Sequence, residues 1–391
     1  MFSFVASHVS VDDTTNLSGT INLSGTKCWS TNATTVLGSP SGSSGSILPL
    51  IATSLGIRMA DDENTLFVAD HFNDRIIMVR LNSSFNSSVF AQGRGGNVTQ
   101  MFKPADVFPT AKYVHVMDNG NFRVVKWLRN GSNPVVAAGI TGTSGTSLAT
   151  LSSSFFIFVD QYDNLYVSDT YNQRVLRFNS SSVSGANGIN IAGTGSSGAG
   201  NNQFNMPNGI FVDSNGTLYV ADFNNQRIQR WFSGASSGTR VAGSGIAGCT
   251  TTQLNKPTSV VVDSDGYIYV TELQCHRVTR WAPNATSGVC IAACTGVYGV
   301  GPNQLNAPQA LEFDSVGALY VSDQSNNRVQ QFRALGACGK YPLLTTVNLL
   351  LPFPETQLFL QERKHQSPIR FQRGALHYQD LQEWPAQLRH Q

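Results

Sequence analysis

The chain has 391 residues, 41% of them hydrophobic, so it can bury a core and is not a disordered segment. Charged residues make up 13%, about half of ordinary usage, and there are 36 glycines. The net charge of +2 supplies no general drive toward nucleic acid or an anionic membrane, and no run reaches the ~18 apolar residues of a membrane span.

Residues 1–26 contain Asn-Leu-Ser-Gly-Thr twice, at 16–20 and 22–26, and read as a flexible leader. Residues 1–10 have no basic n-region and only a short, broken apolar stretch, which opposes a signal peptide at this start. The segment KCWSTNATTVLGS at 27–39 then carries a strand pattern with no hairpin partner nearby. Six copies of one phrase follow: FVADHFNDRI (67–76), HVMDNGNFRV (115–124), YVSDTYNQRV (166–175), YVADFNNQRI (219–228), YVTELQCHRV (269–278) and YVSDQSNNRV (320–329). Their acidic residues, Asp70, Asp118, Asp169, Asp222, Glu272 and Asp323, lie 48, 51, 53, 50 and 51 residues apart. That period suits a four-stranded propeller blade. In the fourth copy, PNGIFVD (207–213), TLYVAD (217–222), RIQRWF (227–232) and TRVAGSG (239–245) read as four strands separated by polar turns.

A lone four-stranded sheet cannot bury both apolar faces; packing against neighbours in a closed ring can. The predicted fold is therefore an all-β, six-bladed β-propeller of four-stranded antiparallel blades over residues 27–337. The sixth copy supplies QALEFD, ALYVSD and RVQQF but no fourth strand. Thr34–Gly38 is expected to fill that place and close the ring. Residues 338–391 differ abruptly in composition and read as a disordered or weakly helical tail, with at most a short helix near 354–364, or as sequence foreign to the protein.

The phrase P-x-G-[IV]-x-V-D…G-x-L-Y-V-[AS]-D-x-x-N-x-R-[IV] resembles the NHL repeat, and blade four matches nearly every position. Blade two departs: Pro104 is followed by Ala-Asp-Val-Phe-Pro, one residue short, and its turn reads Asn-Gly-Asn-Phe. Blade five has Glu272 and Cys275 where the others have Asp and Asn. The stretch CHRVTRWAPNATSGVCIAACTG (275–296) is also similar to the large, Asn/Thr-rich NHL proteins of small invertebrates.

The acidic anchors and the arginines Arg75, Arg123, Arg174, Arg227, Arg277 and Arg328 recur in every blade, so they are assigned to building it. In the typical set, Asp222 ends the second strand, Asn225 takes the left-handed turn position, and Arg227 opens the third strand and pairs with Asp222. Some NHL-like propellers are lyases holding zinc in the central channel with several histidines, and related six-bladed folds are metal-dependent lactonases. The resemblance thus raises a channel-sited enzyme as an alternative. His71, His115 and His276 share no repeat position, and the other four histidines lie outside the ring. The inner-strand starts offer Gly56, Ala105, Phe155, Asn208, Thr258 and Gln309, with Asp106 the one nearby carboxylate. No catalytic residue, metal or cofactor is assigned on this basis. A further NHL branch binds RNA or belongs to ubiquitin ligases. The basic residues here are thinly spread, and the RING, B-box and coiled-coil modules of that branch are not among these residues, so nucleic acid is disfavoured.

What remains is a binding or scaffold role for a protein, peptide or glycan partner. Strand one begins and strand two ends on one face of the ring. That face is expected to carry Phe72, Asn119, Phe155, Tyr171, Asn208, Phe223, Gln274 and Gln324, a mixture of aromatics and amides suited to recognition. Two disulfides are expected, Cys28–Cys338 across the ring closure and Cys275–Cys294 within blade five, with free thiols in a cytosolic protein as the alternative. Ten Asn-x-Ser/Thr acceptors occur, among them Asn82, Asn130, Asn215 and Asn284. They point to a glycoprotein of the secretory pathway or the extracellular space.

Overall fold

A computed structural model describes Leu23 and residues 27–81 and 84–337. The other leader residues, Asn82, and residues 338–391, with Cys338 and the segment near 354–364, lie outside the described residues. Among the described residues, six four-stranded antiparallel sheets form the blades of a propeller. Blade four is made of Pro207–Val212, Leu218–Asp222, Arg227–Trp231 and Thr239–Ala242. The first strands of successive blades pack on one another around the whole ring, so they surround the axis and the fourth strands are outermost. Leu218 to Ala221 are all buried because neighbouring blades cover both faces of the sheet. This is why the second strand of each copy reads as a continuous apolar run rather than an alternating one. No described helix is long and apolar enough to cross a membrane.

The acidic anchors hold the blades to their connections. Asp222 accepts from Arg227 Nε at 2.8 Å and Asn225 Nδ2 at 2.9 Å on one oxygen, and from the Asn205 amide at 2.8 Å on the other. Arg227 also donates to the carbonyls of Ala199, Gly200 and Gln203, which lie in the connection arriving from blade three. Arg75–Asp70, Arg123–Asp118, Arg174–Asp169, Arg277–Glu272 and Arg328–Asp323 repeat the pair at 2.7–2.9 Å, with every carboxylate fully buried. Each set joins one hairpin to the loop that feeds its own innermost strand.

Thr34–Gly38 pairs with Arg328–Phe332 and is the fourth strand of blade six. A second fastening lies beside it. Lys27–Trp29 and Ala334–Ala337 form a separate two-stranded ribbon. Trp29 packs against Tyr269 and Phe313, with ring centroids 6.0 and 5.8 Å away. Leu23, from the stretch read as a leader, is buried in the same apolar cluster.

The expected Cys275–Cys294 pairing is wrong. Cys275 bonds to Cys249, and Cys294 bonds to Cys290. In the other blades the residue at the Cys275 position is an Asn that donates to the incoming loop, as Asn225 does to Gly198. Cys275 sits under the same loop in blade five, so its neighbour is a loop residue, Cys249, whose carbonyl also accepts from Arg277 at 2.7 Å. The disulfide replaces the amide hydrogen bond. Cys28 is disulfide-bonded as well, while Cys338, its expected partner, lies outside the described residues.

Replacing Arg227 by Ala leaves Asp222 buried without its cation and frees three loop carbonyls. A loss of about 3–5 kcal/mol in unfolding free energy is expected, read from urea titrations. A change under about 1 kcal/mol would mean that this network does not hold the blade.

Candidate functional site

The turns between second and third strands form one face of the ring. In five of the six blades they are single 3-10 turns, such as Phe223–Asn225. The residue in the left-handed region is not the motif Asn, as expected from sequence, but the next one: Asp74, Phe122, Gln173, Gln226, His276 and Asn327, with φ between 49° and 55°. The Asn lies one residue earlier because its side chain is engaged by the carboxylate and the loop carbonyl.

The left-handed position turns its side chain toward the next blade. Gln226 Oε1 accepts from the Lys256 amide at 2.7 Å, Gln173 Oε1 from Met206 at 2.6 Å, and Asp74 Oδ1 from Lys103 at 2.7 Å. His276 Nδ1 accepts from Ala307 at 3.1 Å, and Asn327 Oδ1 from Thr53 at 3.0 Å, which fastens blade six to blade one. Blade two is the exception because Phe122 has no acceptor. Its seam to blade three is made by Ser153 Oγ donating to Asn119 at 2.9 Å and by the Ile157 amide donating to Asp106 at 3.0 Å.

These seams sort the eight residues expected on the recognition face. Asn119 is buried in the seam just described. Phe155 is half-buried and packs against the core. Gln324 is half-buried and accepts from Gln309 Nε2 at 2.7 Å. Asn208 is half-buried, and its Oδ1 is shielded from solvent with no hydrogen-bond partner. Gln274, Phe72 and Tyr171 are exposed, the last two by 59% and 56%. Phe223 lies beneath Lys256, whose Nζ is 4.6 Å from the ring centroid. The eight do not make one patch.

Two lysines do organise the face, and sequence reasoning missed them. Lys103 Nζ lies 5.8 Å from the Phe72 centroid and 5.4 Å from that of Phe102. Arg94 stacks on the other ring at 4.5 Å from the Phe102 centroid, and His71 meets Phe72 edge-on at 4.9 Å. Across the face, Lys256 bonds to Asn224 as well as covering Phe223. Lys103 and Lys256 each stand immediately before the proline that opens an inner strand, and that Lys-Pro pair was the available signal.

A second group lies inside the ring. Arg58, Phe108, Phe158, Phe211, Val261 and Glu312 stand at one register level of the six inner strands. Arg58 meets Glu312 at 3.1 Å and sits over Phe108 and Phe158, at 4.5 and 5.9 Å from their centroids. Phe158 continues the contact to Phe211 at 5.4 Å. This level is packed with side chains rather than open. Beside it Asp106 is buried against Gly56, where a Cβ would collide with its carboxylate. Burial pushes the Asp106 carboxyl up to about 7, against the pull of Arg58 and its two amide hydrogen bonds and with a further push from Glu312. Glu312 was not singled out from sequence because it occupies an apolar register position in its strand.

A family model, the NHL repeat, matches residues 204–231, the second and third strands of blade four with the loop and first strand before them. The other five blades repeat its phrase in the same sheet positions. The chain is a six-bladed β-propeller that carries an NHL repeat in blade four. No curated protein matches its sequence. Among solved structures, this propeller is similar to a structural-genomics protein of unknown function from Bacteroides thetaiotaomicron, at 15% identity and a TM-score of 0.59 over 79% of this chain and 76% of that one. It is similar to an auxiliary nutrient binding protein from the same bacterium at 13% identity and TM-score 0.56, over 73% and 69%. A gluconolactonase from Xanthomonas campestris gives 11% identity and TM-score 0.53, over 81% and 95%. At such identities the likeness is one of fold, and that fold is found in binding proteins and enzymes alike.

The raised Asp106 carboxyl carries a pH signature. The folded state holds this proton more tightly than the unfolded chain, so the group costs stability above pH 7 and the cost fades as pH falls toward 4. Asp106→Asn removes the charge. Its unfolding free energy relative to the parent is expected to be larger at pH 8 than at pH 5, by about 2–3 kcal/mol. An offset that does not change with pH would show that Asp106 is not the buried titrating group.

Proposed function

We propose that this propeller is a non-catalytic binding module that presents its turn face to a protein, peptide or glycan. The observation that carries the reading is the cluster of exposed Phe72, Lys103 and Arg94 around the half-buried Phe102. Lys103 meets blade one through its backbone amide on Asp74 and its ammonium on Phe72, and the side chains of Phe72, Lys103 and Arg94 stay exposed for contact with a partner. Aromatic faces with cations between them suit acidic groups and sugar rings. Tyr171 and Phe223 with Lys256 extend the same chemistry around the rim.

The alternative, a lactonase- or lyase-like site in the ring interior, would draw on Asp106, Glu312 and Arg58. Both Asp106 oxygens already accept backbone amides, from Val107 at 2.9 Å and Ile157 at 3.0 Å, so the binding reading is favoured. The disulfides Cys249–Cys275 and Cys290–Cys294 support exposure to an oxidising compartment. Asn130, Asn215 and Asn284 lie exposed in turns, where oligosaccharyl transfer could reach them.

The test is a glycan and peptide array probed with the parent and with Phe72→Ala/Tyr171→Ala. Both side chains are more than half exposed, so the melting temperature should stay within a few degrees while selected signals fall about tenfold. Array signals that survive the double substitution would place recognition elsewhere.

A further inference from the structure

The clasp shows what a groove between two blades accepts. Between blades five and six, Trp29 lies on Tyr269 and Phe313 and donates its indole N–H to Gly317 O at 2.8 Å. Arg280 donates to Lys27 O at 2.9 Å, and Lys27 Nζ donates to Val316 O at 3.0 Å. The guest is an extended Lys-x-Trp segment held at its backbone, its indole and its ammonium.

The repeat places the same host positions one blade earlier. Tyr219 faces Arg230 across blade four as Tyr269 faces Arg280 across blade five. Gly266 precedes Ile268 as Gly317 precedes Leu319, and Ile268 and Leu319 pair with Trp281 and Phe332 respectively. Phe313, under the Trp29 ring, becomes the smaller Val262. Asp265 stands where Val316 stands, so a carboxylate replaces a neutral side chain beside the ammonium position. Here no segment of the described chain fills the groove. It is a cavity of about 680 Å³ lined by Tyr219, Arg230, Asp265, Gly266, Ile268 and Trp281 among others. Arg230 lies over Phe232 with its Nε shielded from solvent and without a hydrogen-bond partner, and in blade five the Nη1 of Arg280 donates to the carbonyl of the clasp.

We infer that the groove between blades four and five is a docking site for an extended partner peptide bearing a Trp two residues after a Lys or Arg. The indole lies on Tyr219 and donates to Gly266 O. The peptide carbonyl two residues earlier accepts from Arg230, and the cation meets Asp265. The site is lined by residues of blades four and five, none of them in the Phe72 cluster, and does not rest on the reading given above for that cluster.

The test uses the full chain with its disulfides formed and its sequons unglycosylated, because Asn284 lies at the rim. The probe is the clasp's sequence with both ends blocked and Ser in place of Cys28, acetyl-Thr-Lys-Ser-Trp-Ser-Thr-amide, titrated by calorimetry. Saturable binding is expected, weakened about tenfold or more when the peptide Trp is replaced by Ala and about fivefold or more by Asp265→Lys. Arg230→Ala should weaken it similarly. Asp265 is exposed, so Asp265→Lys reports on the site even if Arg230→Ala folds poorly. Absence of saturation to millimolar peptide would overturn the assignment. So would binding indifferent to Asp265→Lys, which would indicate displacement of the native clasp or contact elsewhere.

Discussion

A buried carboxylate that must find every one of its hydrogen bonds is the constraint on which this ring depends. An ionised Asp without partners in a protein interior costs several kcal/mol, so the chain has to bring donors to it. In blade four those donors come from three places: the turn through Asn225, the third strand through Arg227, and the incoming loop through the Asn205 amide. Satisfying one carboxylate therefore fixes the hairpin and the start of the innermost strand together. Arg227 extends the same demand to the loop, because its remaining N–H groups need the carbonyls of Ala199, Gly200 and Gln203. Blade five shows what the network requires. The longer Glu272 still reaches Arg277, and where the Asn is lost a covalent bond to Cys249 holds the loop instead.

With each blade fixed, the ring is joined by a second and weaker set of contacts. A residue forced into the left-handed region points its side chain across the seam to an amide of the next blade. The position accepts Asp, Gln, His or Asn because only an acceptor is needed. At Phe122 that acceptor is missing, and the seam is made by Ser153 with Asn119 and by Asp106 with Ile157. The unusual buried carboxyl of Asp106 is thus bound up with the irregular blade two, whose first strand reads differently from the others in sequence as well.

The surfaces left over are where the blades differ. The turn face carries its aromatics and lysines at positions the blade networks do not occupy, and the groove between blades four and five repeats the shape of one the chain fills for itself. Part of this was legible in advance. Phe72, Tyr171 and Gln274 could be placed on the exposed face because the turn that carries them is phased by the repeat. Lys103 and Arg94 could not, because they come from the loop before strand one, and the meeting of Lys103 with Phe72 joins residues of two blades. Asn119 and Phe155 stand at repeat positions that are buried or half-buried in every blade, so neither shares the exposure of Phe72, Tyr171 and Gln274.

The sequence by itself determined the number of blades, the strands within each, and the closure of blade six by Thr34–Gly38, because these follow from a period and from the pairing needs of a strand without a partner. It also determined which acidic and basic residues serve each blade, since a set repeated six times answers a need present six times. The tertiary structure alone decided what depends on the distance between copies. It paired Cys275 with Cys249 rather than Cys294, seated Trp29 in the groove beside Gly317, and brought Glu312 to Arg58 inside the ring. Residues far apart along the chain meet only once the ring is closed, and no local pattern of side chains records which of them will face one another.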